Sequence, residues 1–184
     1  MNTFIEQYDN SLDQTTCEKI IKWFEESTEL QIQGECGNHE VRKEIKDSTD
    51  IALDLNQQWY PSRFIFPALG KGFVDYTTKY NFLEKIDTFT NEVGYNIQRY
   101  YPDQGYFIEH CEHMDGDSKR VLAWTIYLND VHDGGGTAFP TYDMEVQAKA
   151  GRLVIFPAYW THSHMGVVSK TETKYIATGW FSFR

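Results

Sequence analysis

Two His-x-carboxylate pairs stand in one short stretch of the chain, His110 with Glu112 and His113 with Asp115. Residues two apart on extended backbone share a face, so either pair presents an imidazole beside a carboxylate. An acidic surface turn has the same composition, so a metal site needs a further ligand from elsewhere. Thr161–Gly166 supplies His162 and His164 just after a hydrophobic run. Two imidazoles and one carboxylate on one side of a metal make the facial triad of non-haem Fe(II) oxygenases, which leaves positions open for oxygen and a co-substrate. Catalytic zinc accepts the same donors, and spacing alone does not separate the two metals.

Ten residues beyond His164, Lys174 enters a β-type run that contains Tyr175, Ile176 and Trp180. Its ammonium needs a polar environment. An edge strand facing solvent is one solution; a pocket that receives a carboxylate through charge-assisted hydrogen bonds is the other. Thr125 and Tyr127 share a face of the run Val121–Leu128. There the phenol either completes a carboxylate site or is a core tyrosine with a satisfied hydroxyl. Trp180, Phe139 and Ile155 read as core or as pocket wall.

These residues need a scaffold. Residues 4–9 read as a strand leading to a helix, with Thr15-Thr-Cys-Glu18 in the form of a capping box and Ile20, Ile21, Trp23, Phe24 and Leu30 at largely helical spacing. Residues 32–50 are polar and read as an exposed loop, followed by a short strand from Asp50. Apolar residues at steps of three and four predict a second helix from Pro67 to about Leu83, with Gly70 and Gly72 weakening its first turn. From Gly94 on, short β-type runs alternate with turn residues, the pattern of an antiparallel sandwich or barrel. The expectation is a single domain over residues 1–184: a helical support region and loop to about residue 90, then a mainly β core that carries the chemistry.

Bulk composition narrows the function. Hydrophobic residues make up 41% and aromatics 16%, enough for a substantial core, and the formal charge of −10 disfavours nucleic-acid and anionic-membrane partners. The cysteines Cys17, Cys36 and Cys111 form no C-x-x-C, so reduced thiols in a soluble, cytoplasmic protein are expected. The N-terminus has no leader-like pattern and no apolar run reaches spanning length. Oligomeric state leaves no signal.

Several motifs occur in one order: Tyr101-Pro-x-x-Gly-x-x-x-x-His110, Arg120-x-x-x-x-Thr-Ile-Tyr-Leu-Asn129, Gly134-Gly-x-Thr-x-Phe-Pro140, Gly151-Arg-Leu-Val-Ile-Phe156 and His164…Lys174…Trp180. Over residues 95–184 the chain resembles the catalytic core of 2-oxoglutarate/Fe(II)-dependent dioxygenases of the prolyl 4-hydroxylase type. The resemblance implies a double-stranded β-helix, or jelly roll, buttressed by N-terminal helices. It implies Fe(II), 2-oxoglutarate and O2 as cofactors, with ascorbate as a reductant. It implies His110, Glu112 and His164 as metal ligands, Lys174 as the anchor of the distal carboxylate of 2-oxoglutarate, and Tyr127, Tyr101 and Thr125 as further cofactor-site residues. Implied too is hydroxylation of a peptidyl proline, coupled to decarboxylation of 2-oxoglutarate to succinate; a free amino acid or small metabolite is the alternative substrate. A metal-free jelly-roll binding module and a zinc hydrolase are the competing readings.

Two departures stand out. The usual His-x-Asp is His110-Cys-Glu112 here, one methylene longer, and Gly136 replaces a residue that is often Glu. The alternative register, His113-Met-Asp115, restores the Asp but disturbs the spacing to Tyr101 and Arg120, so His110/Glu112 is preferred. His162 is left as a support for the site.

Overall fold

The computed structural model describes residues 2–36, 40–54, 58–86, 89–90, 94–113 and 119–183. In chain order the elements are β1 (Glu6–Tyr8), α1 (Gln14–Glu26), β2 (Ile32–Gln33), β3 (Thr49–Leu53), α2 (Ser62–Lys79), β4 (Phe89–Thr90), β5 (Tyr95–Tyr100), β6 (Arg120–Tyr127), β7 (Thr137–Phe139), β8 (Met144–Val146), β9 (Leu153–Pro157), β10 (Met165–Gly166) and β11 (Lys174–Phe183). An eight-stranded sheet runs β1-β9-β6-β11-β5-β3-β2, with β4 paired to β11. A three-stranded sheet, β10-β7-β8, faces it. Every described pairing is antiparallel. This is the jelly-roll class with two helices as buttress. No helix among the described residues is long and apolar enough to cross a membrane.

Alternation divides the large sheet into two unlike faces. Leu122, Trp124 and Ile126 of β6, Tyr95 and Ile97 of β5, Ile51 and Leu53 of β3, and Ala177 and Phe181 of β11 pack with Ile20, Phe24, Ile65, Leu69 and Tyr76 of the helices. The other face turns toward the small sheet, with Ala123, Tyr127, Val154 and Phe156 packed against Phe139 and Val146. On that same face Lys174, Ile176, Thr178 and Trp180 of β11, Asn96, Gln98 and Tyr100 of β5, and Asp50 and Ala52 of β3 line a cavity of about 580 Å³. One face is a core. The other is a site.

Local details depart from the sequence reading. Helix α1 is capped by Asp13, whose carboxylate accepts from Thr16 N at 2.7 Å, while Thr15 and Glu18 lie inside the helix. An acidic side chain one turn ahead of the first buried apolar residues does the capping that Thr15 was expected to do. Helix α2 begins at Ser62 and contains Pro67; burial of Ile65, Ala68 and Leu69 on both sides of the proline outweighs its missing N–H. Gly72 is a contact rather than a weakness: a Cβ there would lie 2.4 Å from Leu153 Cδ2, so its absence lets the helix approach β9. Residues 32–50 are not simply a solvated loop. Ile32 and Gln33 pair with β3, and Ile32, Glu35, Cys36 and Lys46 form one wall of the cavity.

Candidate active site

His110 and His164 come together across an isolated antiparallel bridge, with reciprocal backbone hydrogen bonds of 2.9 and 2.8 Å. Each ring is oriented by its own strand: His110 Nδ1 meets Ile108 O at 2.9 Å and His164 Nδ1 meets His162 O at 3.0 Å. A donating Nδ1–H leaves Nε2 as the free ligand atom. Both Nε2 atoms face Glu112 Oε1, at 3.8 Å from His110 and 3.3 Å from His164. The three ligand atoms lie within 4.8 Å of one another, and this is the one such cluster among the described residues.

The rest of the cavity holds this cluster in place. Trp180 Nε1 donates to Glu112 Oε2 at 2.8 Å, and Arg120 stacks on the indole at 3.7 Å while donating to Glu112 O at 3.2 Å. Glu112 is therefore gripped through one oxygen, which leaves the other for the imidazoles. Tyr106 stacks on His110, with centroids 3.7 Å apart and planes 13° from parallel, and Phe156 packs edge-on to His164 at 4.8 Å. Burial and the neighbouring His164 push the His110 pKa down to about 4, so this imidazole is neutral at neutral pH. Burial opposes the charge of Glu112, but hydrogen bonding and proximity to His164, then His110 and Trp180, outweigh it and bring the carboxyl to about 2. Neutral imidazole and ionised carboxylate are the forms that bind a metal.

Lys174 is not on an edge. Strand β11 runs between β6 and β5, and the lysine is 7% exposed. Its Nζ lies over the Tyr100 ring at 4.5 Å, and no carboxylate among the described residues pairs with it. Burial alone lowers its pKa to about 8. Thr125 lines the same cavity and shares a 3.2 Å hydrogen bond with Thr178.

The remaining predicted residues fall elsewhere. Tyr101 follows the end of β5, is 46% exposed and carries Arg99 over its ring, so it lies outside the cavity; Tyr100 and Tyr106 are the tyrosines that line it. The alternation of β5 points Tyr100 inward and its successor out. The Tyr127 hydroxyl is bonded to Thr137 Oγ1 at 2.6 Å, and it is Thr137 that reaches the cavity wall. His162 turns away from the cluster: its Nε2 contacts Thr3 O at 2.8 Å, its Nδ1 contacts Thr161, and it is 4% exposed. His113 bonds Arg120 O through Nδ1 and packs on Tyr159. Asp115 lies outside the described residues. Gly136 has no room for the glutamate often found there, since a Cβ would meet Val146 O at 2.4 Å.

Residues 95–182 match the family model of the 2OG-Fe(II) oxygenase superfamily. That segment is a 2-oxoglutarate/Fe(II)-dependent oxygenase core. No curated protein sequence matches the chain. Among solved structures, the chain resembles a viral collagen prolyl hydroxylase from Paramecium Bursaria Chlorella virus-1, at 20% identity and TM-score 0.74 over 100% of this chain and 98% of that one. A prolyl-4-hydroxylase from Pseudomonas putida gives 19% and 0.74 over 100% and 94%. A prolyl hydroxylase from Trichoplax adhaerens, solved with a peptide fragment of hypoxia inducible factor, gives 16% and 0.77 over 99% and 84%. At these identities the likeness establishes the shared fold.

The family uses Fe(II), 2-oxoglutarate and O2. The residues present fit that set. Three electron-rich atoms converge in the cavity, and a desolvated ammonium with no carboxylate partner among the described residues opens into the same space. The first suits a cation and the second a carboxylate.

Proposed function

We propose that this dioxygenase couples oxidative decarboxylation of 2-oxoglutarate to hydroxylation of a substrate C–H, with a peptidyl proline as substrate. Bound Fe(II) supplies the activation of dioxygen; one oxygen atom goes into the substrate hydroxyl and the other into succinate, with carbon dioxide released. In this reading His110, Glu112 and His164 hold the metal from one side, and His113 and Asp115 do not. Lys174 receives the distal carboxylate of 2-oxoglutarate, with Thr125 and Thr137 on the same wall. Trp180 and Arg120 keep Glu112 turned so that one oxygen serves the metal. Phe156 and Ile176 give apolar surface that limits water, which strengthens every charged contact inside. The 184 residues are read as one catalytic domain, its helices backing the sheet that carries the site, with ascorbate as the reductant.

The observation that carries the reading is the pairing of an open His-Glu-His cluster with a buried lysine that has no carboxylate partner among the described residues, in one cavity. A zinc hydrolase or a binding module gives that lysine no role. The proline substrate rests on a different footing: the fold is shared with three prolyl hydroxylases, one of which was solved holding a peptide.

The test is an anaerobic titration. Fe(II) and 2-oxoglutarate together should give a weak visible charge-transfer band that bleaches with oxygen and releases succinate. No band and no succinate under any condition would sink the enzyme chemistry. Mass-shift screening of proline peptides against free amino acids then decides the substrate; a 16 Da gain confined to the free amino acids would remove the peptide reading.

A further inference from the structure

Lys46, Ser48 and Asp50 alternate along the segment that enters β3, and all three are buried: 5%, 1% and 5% exposed. Lys46 Nζ donates to Asp50 Oδ2 at 2.5 Å and to Glu35 O at 3.0 Å. Ser48 donates to Asp50 Oδ1 at 2.7 Å, and Gln98 Nε2 to Asp50 Oδ2 at 3.0 Å. Gln98 Oε1 in turn accepts from Tyr100 OH at 2.7 Å. Burying this many polar groups is tolerable only because they satisfy one another. Such a cluster does little for a fold that already has a large apolar core behind the sheet. Its placement is what gives it meaning.

The network ends at both halves of the site. In one direction it reaches Tyr100, whose ring lies beneath the Lys174 ammonium. In the other, the backbone of Lys46 bridges to Tyr106, flanked by hydrogen bonds from Phe107 N to Ile45 O and from Asp47 N to Gly105 O. The ring of Tyr106 is the one stacked on His110. A single buried ion pair thus fixes the strand that seats one metal-ligand candidate and the side chains that seat the carboxylate receptor.

We infer that the Lys46–Asp50 pair is a positioning device for both ends of the site, acting on His110 through Tyr106 and on Lys174 through Gln98 and Tyr100. This rests on the reading that the cavity takes a divalent metal and 2-oxoglutarate. The two arms make it separable from simple loosening of the fold.

The experiment measures Mn(II) affinity by calorimetry on the full chain, 2-oxoglutarate affinity at saturating Mn(II), and the melting temperature of each variant. Tyr106→Leu should weaken Mn(II) about tenfold and leave 2-oxoglutarate within about threefold, the scale expected when a partner that orients a metal ligand is lost. Gln98→Met should do the reverse. Lys46→Met/Asp50→Asn, which removes both charges together, should weaken both. If the double variant does not fold, the two single arms still decide. Variants that bind both probes like wild type, or that lose both in proportion to a fall in melting temperature, would overturn the inference alone. Wild-type protein that binds neither probe would overturn the functional reading and this inference with it.

Discussion

Lys46 and Lys174 line the same cavity and are equally withdrawn from water, at 5% and 7% exposure. Their surroundings differ. Lys46 is closed on itself by Asp50 and Glu35 O, and Asp50 is satisfied again by Ser48 and Gln98. Among the described residues, Lys174 has only the face of Tyr100. A buried pair needs nothing from outside, whereas a buried lone cation is costly until an anion arrives. The comparison separates a lysine that builds the site from one that awaits a ligand. Burial alone would have classed them together.

The largest effect should come from opening the closed pair. Lys46→Met leaves the Asp50 carboxylate buried without its cation, and breaking such a pair from one side costs about 3–5 kcal/mol. Urea denaturation of the metal-free protein should show that loss, and adding Asp50→Asn should recover a good part of it. An unchanged midpoint in Lys46→Met would mean that water already reaches the carboxylate.

Lys174→Met should move stability the other way. The fall from the usual 10.5 to about 8 corresponds to ~3–4 kcal/mol at ~1.4 kcal/mol per pH unit, an upper bound on what the metal-free fold gains at neutral pH when the ammonium is removed. The same variant should lose measurable 2-oxoglutarate binding. The sign can be checked without mutation. Because the folded pKa is depressed, the unfolded chain binds more protons between pH 8 and 10.5, so wild-type stability should rise across that window. Affinity for 2-oxoglutarate should fall in the same direction as the ammonium is lost. A flat stability profile from pH 8 to 10.5, or one that Lys174→Met leaves intact, would refute the lone-cation account.

Much of this contrast was legible in the residues, and the part that was not has a physical cause. Period-two alternation in β5, β6 and β11 separates a helix-facing core from a cavity face, and His110, Glu112, His164 and Lys174 all lie on the cavity side. The segment 32–50 misled because its polarity matches that of a solvated loop. The alternation Lys46-x-Ser48-x-Asp50 carried the signal, but charged residues at strand spacing look alike whether they face water or one another. Tyr101 misled for the opposite reason: motif position selected it, and the strand's alternation puts Tyr100 inward instead. The role of Trp180 was half visible. A tryptophan on the cavity face is wall or core by pattern, and only geometry shows its N–H on Glu112.

That indole contact gives the next test. Trp180→Phe keeps the aromatic wall but leaves Glu112 Oε2 without its donor, and should weaken Mn(II) binding roughly tenfold. Glu112→Asp shortens the arm so that one carboxylate no longer reaches both the indole and the imidazoles. In that background Trp180→Phe should add little, a coupling that a double-mutant cycle reads directly. Additive losses would show that Trp180 supports the wall rather than the carboxylate.

The smallest expected effect concerns the second His-x-carboxylate pair. His113 holds Arg120 O through Nδ1 and rests on Tyr159, so its ring is committed to joining two segments. Arg120 is the residue that stacks on Trp180, and through that contact His113 touches the site only indirectly. His113→Ala should therefore change Mn(II) affinity by less than about threefold, within the range of ordinary surface substitutions, and Asp115→Ala should do no more. Loss of metal binding in Asp115→Ala with retention in Glu112→Ala would reverse the register and turn the carboxylate gripped by Trp180 into a structural group. The opposite result would leave the longer glutamate arm as the ligand and explain why the cavity wall supplies a donor for its second oxygen.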